Sequence, residues 1–396
     1  MRAFRRYLHS CLLLAAVCLM LSPLQASRPP LSPSARISLV TVEGGRPLYT
    51  AFGHSALRVR DASIPIDLVF NYGTFDFNAP GFYTNFMQGH MTYFLAVSDF
   101  SRFIYWNTED GRYTCEQELL LDAGQRQRLF DALLINAEPE NRDYAYDFFY
   151  DNCATRIRDM LQTVFGDSLV FADRPSDGTL RDLLHGCLGR HPWSRLGLDI
   201  ILGLPCDSLA TARTRMFLPG CLSDAFADAR LQGRPLAASP VALNNLSPKP
   251  LRHPYVTVPT ICAWLLLAAG VLCFRKGKAR AIFDRCLFAF VGIAGMIVAY
   301  MWFLSAHTAT HWNLNLLWAL PTHLVIAFCL SGRRPALWRL WYFRLTSVLC
   351  IFLLAAWPWL PQAMHAAVIP LTLLLLCRSW ARTGWPASRF IAMPEE

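Results

Sequence analysis

The sequence predicts an exported α+β domain followed by an all-α transmembrane domain of about five helices. Three observations carry that reading. Segments between residues 37 and 121 alternate apolar and polar side chains with a period of two, the mark of half-buried strands. From residue 122 the apolar spacing changes to three and four, the mark of helices. Beyond residue 255, five apolar runs approach bilayer length. Apolar residues make up 54% of the chain and charged ones 16%, which is too apolar for an ordinary soluble protein.

Residues 1–26 read as a signal peptide. Arg2, Arg5 and Arg6 precede an apolar stretch from Leu8 to Leu21, and Ala26 is a small residue at a cleavage site. An uncleaved anchor helix is the alternative. The exported domain is placed at 27–236. Strands are expected at 37–42, within 49–60, at 67–73 with 74–77 following, at 91–97 and at 113–121. A helix is expected over 122–136, where Leu129, Leu133 and Leu134 share a face. Another begins at Cys153, where Ile157, Met160, Leu161 and Val164 recur at helical spacing. A short helix is expected at 179–184. Residues 237–254, rich in Pro, Asn and Ser, read as a linker.

The membrane runs are 255–274, 286–304, 314–330, 345–361 and 364–377. Pro321, Pro358 and Pro370 predict kinks in the last three. The transmembrane domain is placed at 255–379, with a cytoplasmic tail at 380–396. The net charge of +9 suggests nucleic acid at first sight, but residues 275–396 hold twelve Lys/Arg against three acidic residues. The rest of the chain is therefore neutral. The basic residues follow the first, third and fifth runs: Arg275, Lys276, Lys278, Arg280 and Arg285, then Arg333, Arg334, Arg339 and Arg344, then Arg378, Arg382 and Arg389. The loops at 305–313 and 361–362 carry none. By the positive-inside rule this is a multi-pass protein of the bacterial inner membrane with a periplasmic N-terminal domain. A nucleic-acid partner is excluded.

Of the thirteen cysteines, Cys115, Cys153, Cys187, Cys206 and Cys221 fall in the exported region. An odd number there leaves a free thiol. A disulfide is expected among Cys187, Cys206 and Cys221, with the pairing open. No spacing of Cys and His suggests a metal, and no cofactor is expected.

The chemistry centres on Cys153. Asp151 and Asn152 are capping residues, which puts Cys153 in the first turn of a helix. There the free N–H groups and the helix dipole favour a thiolate and can hold an oxyanion. A thiol nucleophile needs a base, and His54 in Gly53-His54-Ser55 can supply one. A third polar group should orient the imidazole. Asp67 and Asn71 lie on one face of the next strand, and the reading leans to Asp67. Asn152 and Asp151 are placed as oxyanion or support residues. The competing reading makes Cys153 an inert helix-start cysteine and His54 a buried strand residue. Phe75, Phe77, Phe82, Tyr83 and Phe86 form either core or an apolar rim against the bilayer.

Three motifs in order add a resemblance: 51–59 (Ala-Phe-Gly-His-Ser-Ala-Leu-Arg-Val) with Asp67, 70–77 (Phe-Asn-Tyr-Gly-Thr-Phe-Asp-Phe), and 150–156 (Tyr-Asp-Asn-Cys-Ala-Thr-Arg). Together with 307–315 in the tail they resemble the Lnb-type lipoprotein N-acyltransferase family. The His-then-Cys order further resembles the permuted NlpC/P60, papain-like thiol enzymes. The resemblance implies Cys153 as nucleophile and His54 as base. It implies a phospholipid acyl donor and a lipoprotein acceptor, with Tyr72, His307 and His311 as candidates on the substrate side. Alternatives are a membrane-tethered cysteine peptidase or amidase, a phospholipase or thioesterase, and a non-enzymatic polytopic protein.

Overall fold

The computed structural model describes residues 30–174, 178–248, 257–272, 277–330 and 336–383. The expected signal peptide lies outside the described residues, as do Arg275, Lys276, Arg333, Arg334 and Arg389.

The exported part is built on a seven-stranded antiparallel sheet in the order β10-β5-β1-β2-β3-β4-β6. Its strands are β1 (Arg36–Val42), β2 (His54–Asp61), β3 (Ile66–Thr74), β4 (Thr92–Asp99), β5 (Thr114–Glu118), β6 (Asp143–Ala145) and β10 (Val241–Ala242). A small second sheet joins β7 (Leu169–Val170), β8 (Arg230–Leu231) and β9 (Arg234–Pro235). The period-two pattern sorts side chains to two covered faces. On one face Ile37, Leu39, Leu57, Val59 and Phe70 pack with Leu129, Phe130, Ile157 and Leu161. The latter come from helices α3 (Ala123–Ala137) and α4 (Cys153–Phe165). On the other face Val40, Val42, Ala56 and Val69 pack with Phe103 of α2 (Phe100–Glu109). Helix α1 (Phe82–Gln88) buries none of its residues.

Residues 237–244 correct the expected linker. Ala237 bridges Leu119, β10 pairs with β5, and Asn244 Nδ2 donates to the Arg112 carbonyl at 2.9 Å. This segment closes the sheet edge because its backbone finds ladder partners there.

Helices α5 (Leu180–Cys187), α6 (Pro192–Ile201) and α7 (Pro219–Asp228) complete the exported part. Leu180, Leu184 and Leu202 join Phe149 and Phe217 in a separate core. The expected disulfide is absent: Cys115, Cys153, Cys187, Cys206 and Cys221 are all free thiols.

The C-terminal region contains α8 (Val258–Leu272), α9 (Gly277–Phe303), α10 (His323–Cys329), α11 (Leu337–Ala356) and α12 (Val368–Trp380). Two helical stretches, Gly277–Phe303 and Leu337–Trp359, are long and apolar enough to cross a membrane. The third apolar run departs from a single helix. It begins as a short 3-10 turn, Leu314–Leu317, and α10 starts only after Pro321. Its first residues are tied elsewhere: Asn315 Nδ2 donates to the carbonyls of Asp199 and Ile200 at 3.0 and 3.2 Å.

That bond belongs to a polar seam between the two parts. Asn313 Nδ2 donates to the Ile200 and Ile201 carbonyls, each at 2.8 Å, and Gln362 Nε2 to the Leu202 carbonyl at 3.1 Å. Both loops without Lys or Arg, 305–313 and 361–362, therefore meet the exported part. Asp284 lies near the other end of α9, about 28 Å from Phe303 at 1.5 Å per residue. There it pairs with Arg378 and Arg382 at 2.5 Å each. The charge asymmetry of the sequence is thus matched by opposite ends of the helices.

Candidate active site

Cys153 is the first residue of α4. Asn152 is the N-cap: its Oδ1 accepts from the N–H of Ala154 and Thr155 at 2.9 and 3.0 Å. Thr155 Oγ1 accepts from the Asn152 N–H at 2.7 Å and completes a capping box. The cap fixes where the helix starts and so where the thiol stands. As the first helical residue, Cys153 has an N–H with no intrahelical partner.

His54 opens β2, and Asn71 lies near the end of β3. Leu57 pairs with Phe70 in the register, so Asn71 sits opposite Ala56 and diagonal to His54 on the same face. Nε2 of His54 and Oδ1 of Asn71 are 2.5 Å apart. The amide oxygen can only accept, so Nε2 carries the proton and Nδ1 is left with the lone pair. This corrects the lean toward Asp67. Asp67 shares the face, but it lies four residues further along β3, about 13 Å at the strand rise. It is already engaged by Arg58, whose Nε and Nη2 donate to its two oxygens at 2.7 and 2.8 Å.

Gly73 brings His54 and Cys153 together. The β3–β4 register shifts between Asn71 and Thr74, and Gly73 has φ 84°, a left-handed conformation suited to glycine. A Cβ at this glycine would lie 3.3 Å from the Cys153 Cβ and 3.9 Å from the His54 Cε1. Nucleophile and base thus converge on the space that a side chain here would fill. Both are partly accessible to solvent.

Burial dominates the electrostatics. It lowers the His54 pKa to about 4, and the Arg112 charge adds to this, while the bond to Asn71 opposes it. Burial also raises the Cys153 pKa. The backbone N–H groups of Ser55, Ala154 and Cys153 and the Arg112 charge act against that rise without overcoming it. Both shifts favour the neutral thiol and the neutral imidazole over a thiolate–imidazolium pair. The helix start favours the anion, and desolvation acts against it.

A pH prediction follows. Alkylation of Cys153 by an uncharged haloacetamide should keep rising as pH passes 9, with no plateau near neutrality; a plateau between pH 5 and 8 would mean a preformed ion pair. The stability sign is also set. The folded pKa of His54 lies below its unfolded value, so the unfolded chain binds the extra proton between about pH 6.5 and 4. The stability tied to neutral His54 is complete above 6.5 and is lost as pH falls through 4.

The other expected site residues fall as follows. Asn152 cannot offer its amide to an oxyanion, because Nδ2 already donates to the carbonyls of Phe148 and Phe217, each at 2.8 Å. Its role is support. Asp151 pairs with Arg156, which also lies over the Tyr144 ring with its Cζ 4.1 Å from the centroid. An anion already paired in this way is no oxyanion donor. Tyr72 points into the core with its hydroxyl donating to Asn136 Oδ1 at 2.6 Å, so it is not on the substrate side. His307 Nε2 meets the carbonyl of Phe86 at 2.8 Å, and the His311 carbonyl packs against Gly203. Both histidines thus belong to the seam between the two parts.

One feature of the site has no local signal in the sequence. Arg112 is buried and its charge reaches both His54 and Cys153. Helix α1 exposes Tyr83, Phe86 and Met87, and Phe77 just before it is half exposed. The aromatic set therefore divides: Phe75 packs against the core with the half-buried Phe82 stacked on it, whereas Phe77, Tyr83 and Phe86 are exposed as an apolar rim. The carbonyl of Gln88, at the end of α1, accepts from the Ala306 N–H of the membrane region at 2.8 Å.

No curated protein and no solved structure matches the chain significantly. Two family descriptions do. Residues 32–186 match the Lnb N-terminal periplasmic domain, and residues 252–384 match the Lnb transmembrane domain. The two matches occur in order and take in both the sheet with its Cys153–His54–Asn71 cluster and the helical region. The chain belongs to the Lnb-type family.

Proposed function

We propose that this protein is a lipoprotein N-acyltransferase of the inner membrane, with five spans and a papain-like, permuted thiol site in its periplasmic domain. The observation that carries the reading is the convergence of Cys153 and an Asn71-bound His54 in a domain docked on membrane loops, beside a helix that exposes aromatic residues. Both substrates are lipids that stay in the bilayer, and the apolar rim of α1 suits them.

The reaction has two halves. His54 Nδ1 takes the thiol proton as Cys153 Sγ attacks the ester carbonyl of a phospholipid. The C–S bond forms and the carbonyl electrons move to oxygen. The Cys153 N–H, which has no intrahelical partner, holds that oxyanion in this reading. Collapse breaks the ester C–O bond, and the imidazolium protonates the departing lysophospholipid alkoxide. The α-amine of a diacylglyceryl cysteine then attacks the thioester. His54 accepts the amine proton and returns it to the leaving sulfur. The products are an N-acylated lipoprotein and free Cys153 thiol. A wall-peptide amidase would use the same pair, but it has no use for an exposed aromatic helix at the membrane face.

The test is replacement of the resident enzyme. Cells lacking their own N-acyltransferase and carrying this protein should show lipoprotein N-termini with a third acyl chain by mass spectrometry. Diacylated termini alone would refute the reading.

A further inference from the structure

Arg112 ends the loop before β5, and the register puts it beside the site. Thr114 pairs with Val42, and Val42 pairs with His54, so the three are neighbours across the sheet. Arg112 lies two residues beyond Thr114, on the same face and at the same end as His54 and Gly73. Its guanidinium is held rigidly. Nε donates to the Glu43 carbonyl at 2.9 Å, and Nη1 donates to Asn107 Oδ1 at 3.0 Å. Both acceptors are neutral. Nη2 is buried with no hydrogen-bond partner. Arg112 is only 7% exposed, and among the described residues no carboxylate lies within ion-pair distance of it.

The Asp110 charge acts on Arg112 from beyond ion-pair distance, so the buried guanidinium is held directly only by neutral acceptors, and burial is the larger effect on it. A fold keeps such a group most readily where an anion arrives. The Asn152 amide is fully committed to Phe148 and Phe217, which leaves the backbone N–H groups of Ser55 and Cys153 and the Arg112 guanidinium as the anion donors around the thiol. The loop over Arg112 shields it from water: a Cβ at Gly45 would lie 3.4 Å from the Arg112 Cδ.

We propose that Arg112 is the anion-binding residue of this site, its free Nη2–H taking the oxygen anion of the lipid donor when the loop at 43–53 shifts to admit it. That anion is either the oxyanion formed as Cys153 attacks or the phosphodiester of the headgroup. The proposal rests on the acyl-transfer reading above.

The experiment uses the full chain in detergent micelles, wild type beside Arg112→Gln and Arg112→Lys. Acylation of Cys153 is followed by intact mass with two donors, phosphatidylethanolamine and an uncharged p-nitrophenyl acyl ester. The Gln variant should acylate from the phospholipid about 100-fold more slowly, the usual loss for one oxyanion donor. The Lys variant keeps the charge without the fork geometry, and about a tenfold loss is expected. An equal loss with the neutral ester identifies the acyl oxyanion; a loss confined to the phospholipid identifies the phosphate. If the Gln variant shows no thermal unfolding transition, the Lys variant decides. A folded variant acylating within about threefold of wild type with both donors overturns the proposal. Wild type that takes no acyl group from either donor overturns the acyl-transfer reading itself.

Discussion

Replacing His54 with alanine is expected to slow acylation of Cys153 about a thousandfold while leaving the fold intact. Removal of a general base usually costs 10²–10⁴. Here the loss should sit in the upper part of that range, because burial raises the thiol pKa and leaves little spontaneous thiolate at neutral pH. Asn71→Ala removes the acceptor that fixes the imidazole tautomer, and a loss of about 10- to 100-fold is expected. Asp67→Ala is the informative control. Its carboxylate pairs with Arg58 away from His54, so its effect should fall on thermal unfolding and leave the acylation rate within about threefold of wild type. A rate loss for Asp67→Ala matching that of Asn71→Ala would contradict the register assigned to β2 and β3. Acyl-enzyme formation, followed by quenched-flow mass spectrometry, measures all three.

Gly73→Ala is expected to cost about tenfold in acylation and to lower thermal stability modestly. The new methyl would meet the Cys153 Cβ at 3.3 Å and also stand against His54. The Cys153 side chain must give by a few tenths of an ångström, whereas His54 at 3.9 Å stays in ordinary contact; a misplacement of about 1 Å in a reacting pair costs about 10² in rate, so this smaller shift should cost about tenfold. The left-handed φ of 84° adds about 1–2 kcal/mol of strain. Thermal unfolding reports that strain, and the acylation rate reports the displacement. A Gly73→Ala protein with a lowered melting temperature and wild-type acylation would show that the pair does not depend on this gap.

Much of this was legible because it is local. The start of α4 is written in Asn152 and Thr155, and its buried stripe in Ile157 and Leu161. The strands carrying His54 and Asn71 show in alternation, and the charge asymmetry foreshadows which ends of the helices face the exported part. What was not legible depends on distant partners. Asp67 and Asn71 obey the same parity, and only the pairing of Leu57 with Phe70 separates them. The sequence allows Asn152 an oxyanion or a support role, because nothing nearby shows that Phe217, 65 residues on, takes one of its protons. The 237–254 stretch is compositionally a linker, yet part of it adds a strand to β5. The run at 314–330 has bilayer length, but Asn315 is pinned to α6 and Pro321 delays the helix. Arg112 is a single arginine beside a turn, and only the fold reveals that it is buried with Nη2 lacking a hydrogen-bond partner.

The most direct test is the covalent state of Cys153. Purified full-length protein mixed with phosphatidylethanolamine of one chain length should gain the mass of one acyl group on Cys153. Hydroxylamine should remove it, and a diacylglyceryl-cysteine peptide should take it onto its α-amine. Cys153→Ala should show neither the adduct nor the product. Formation of the triacylated peptide by Cys153→Ala would contradict the account.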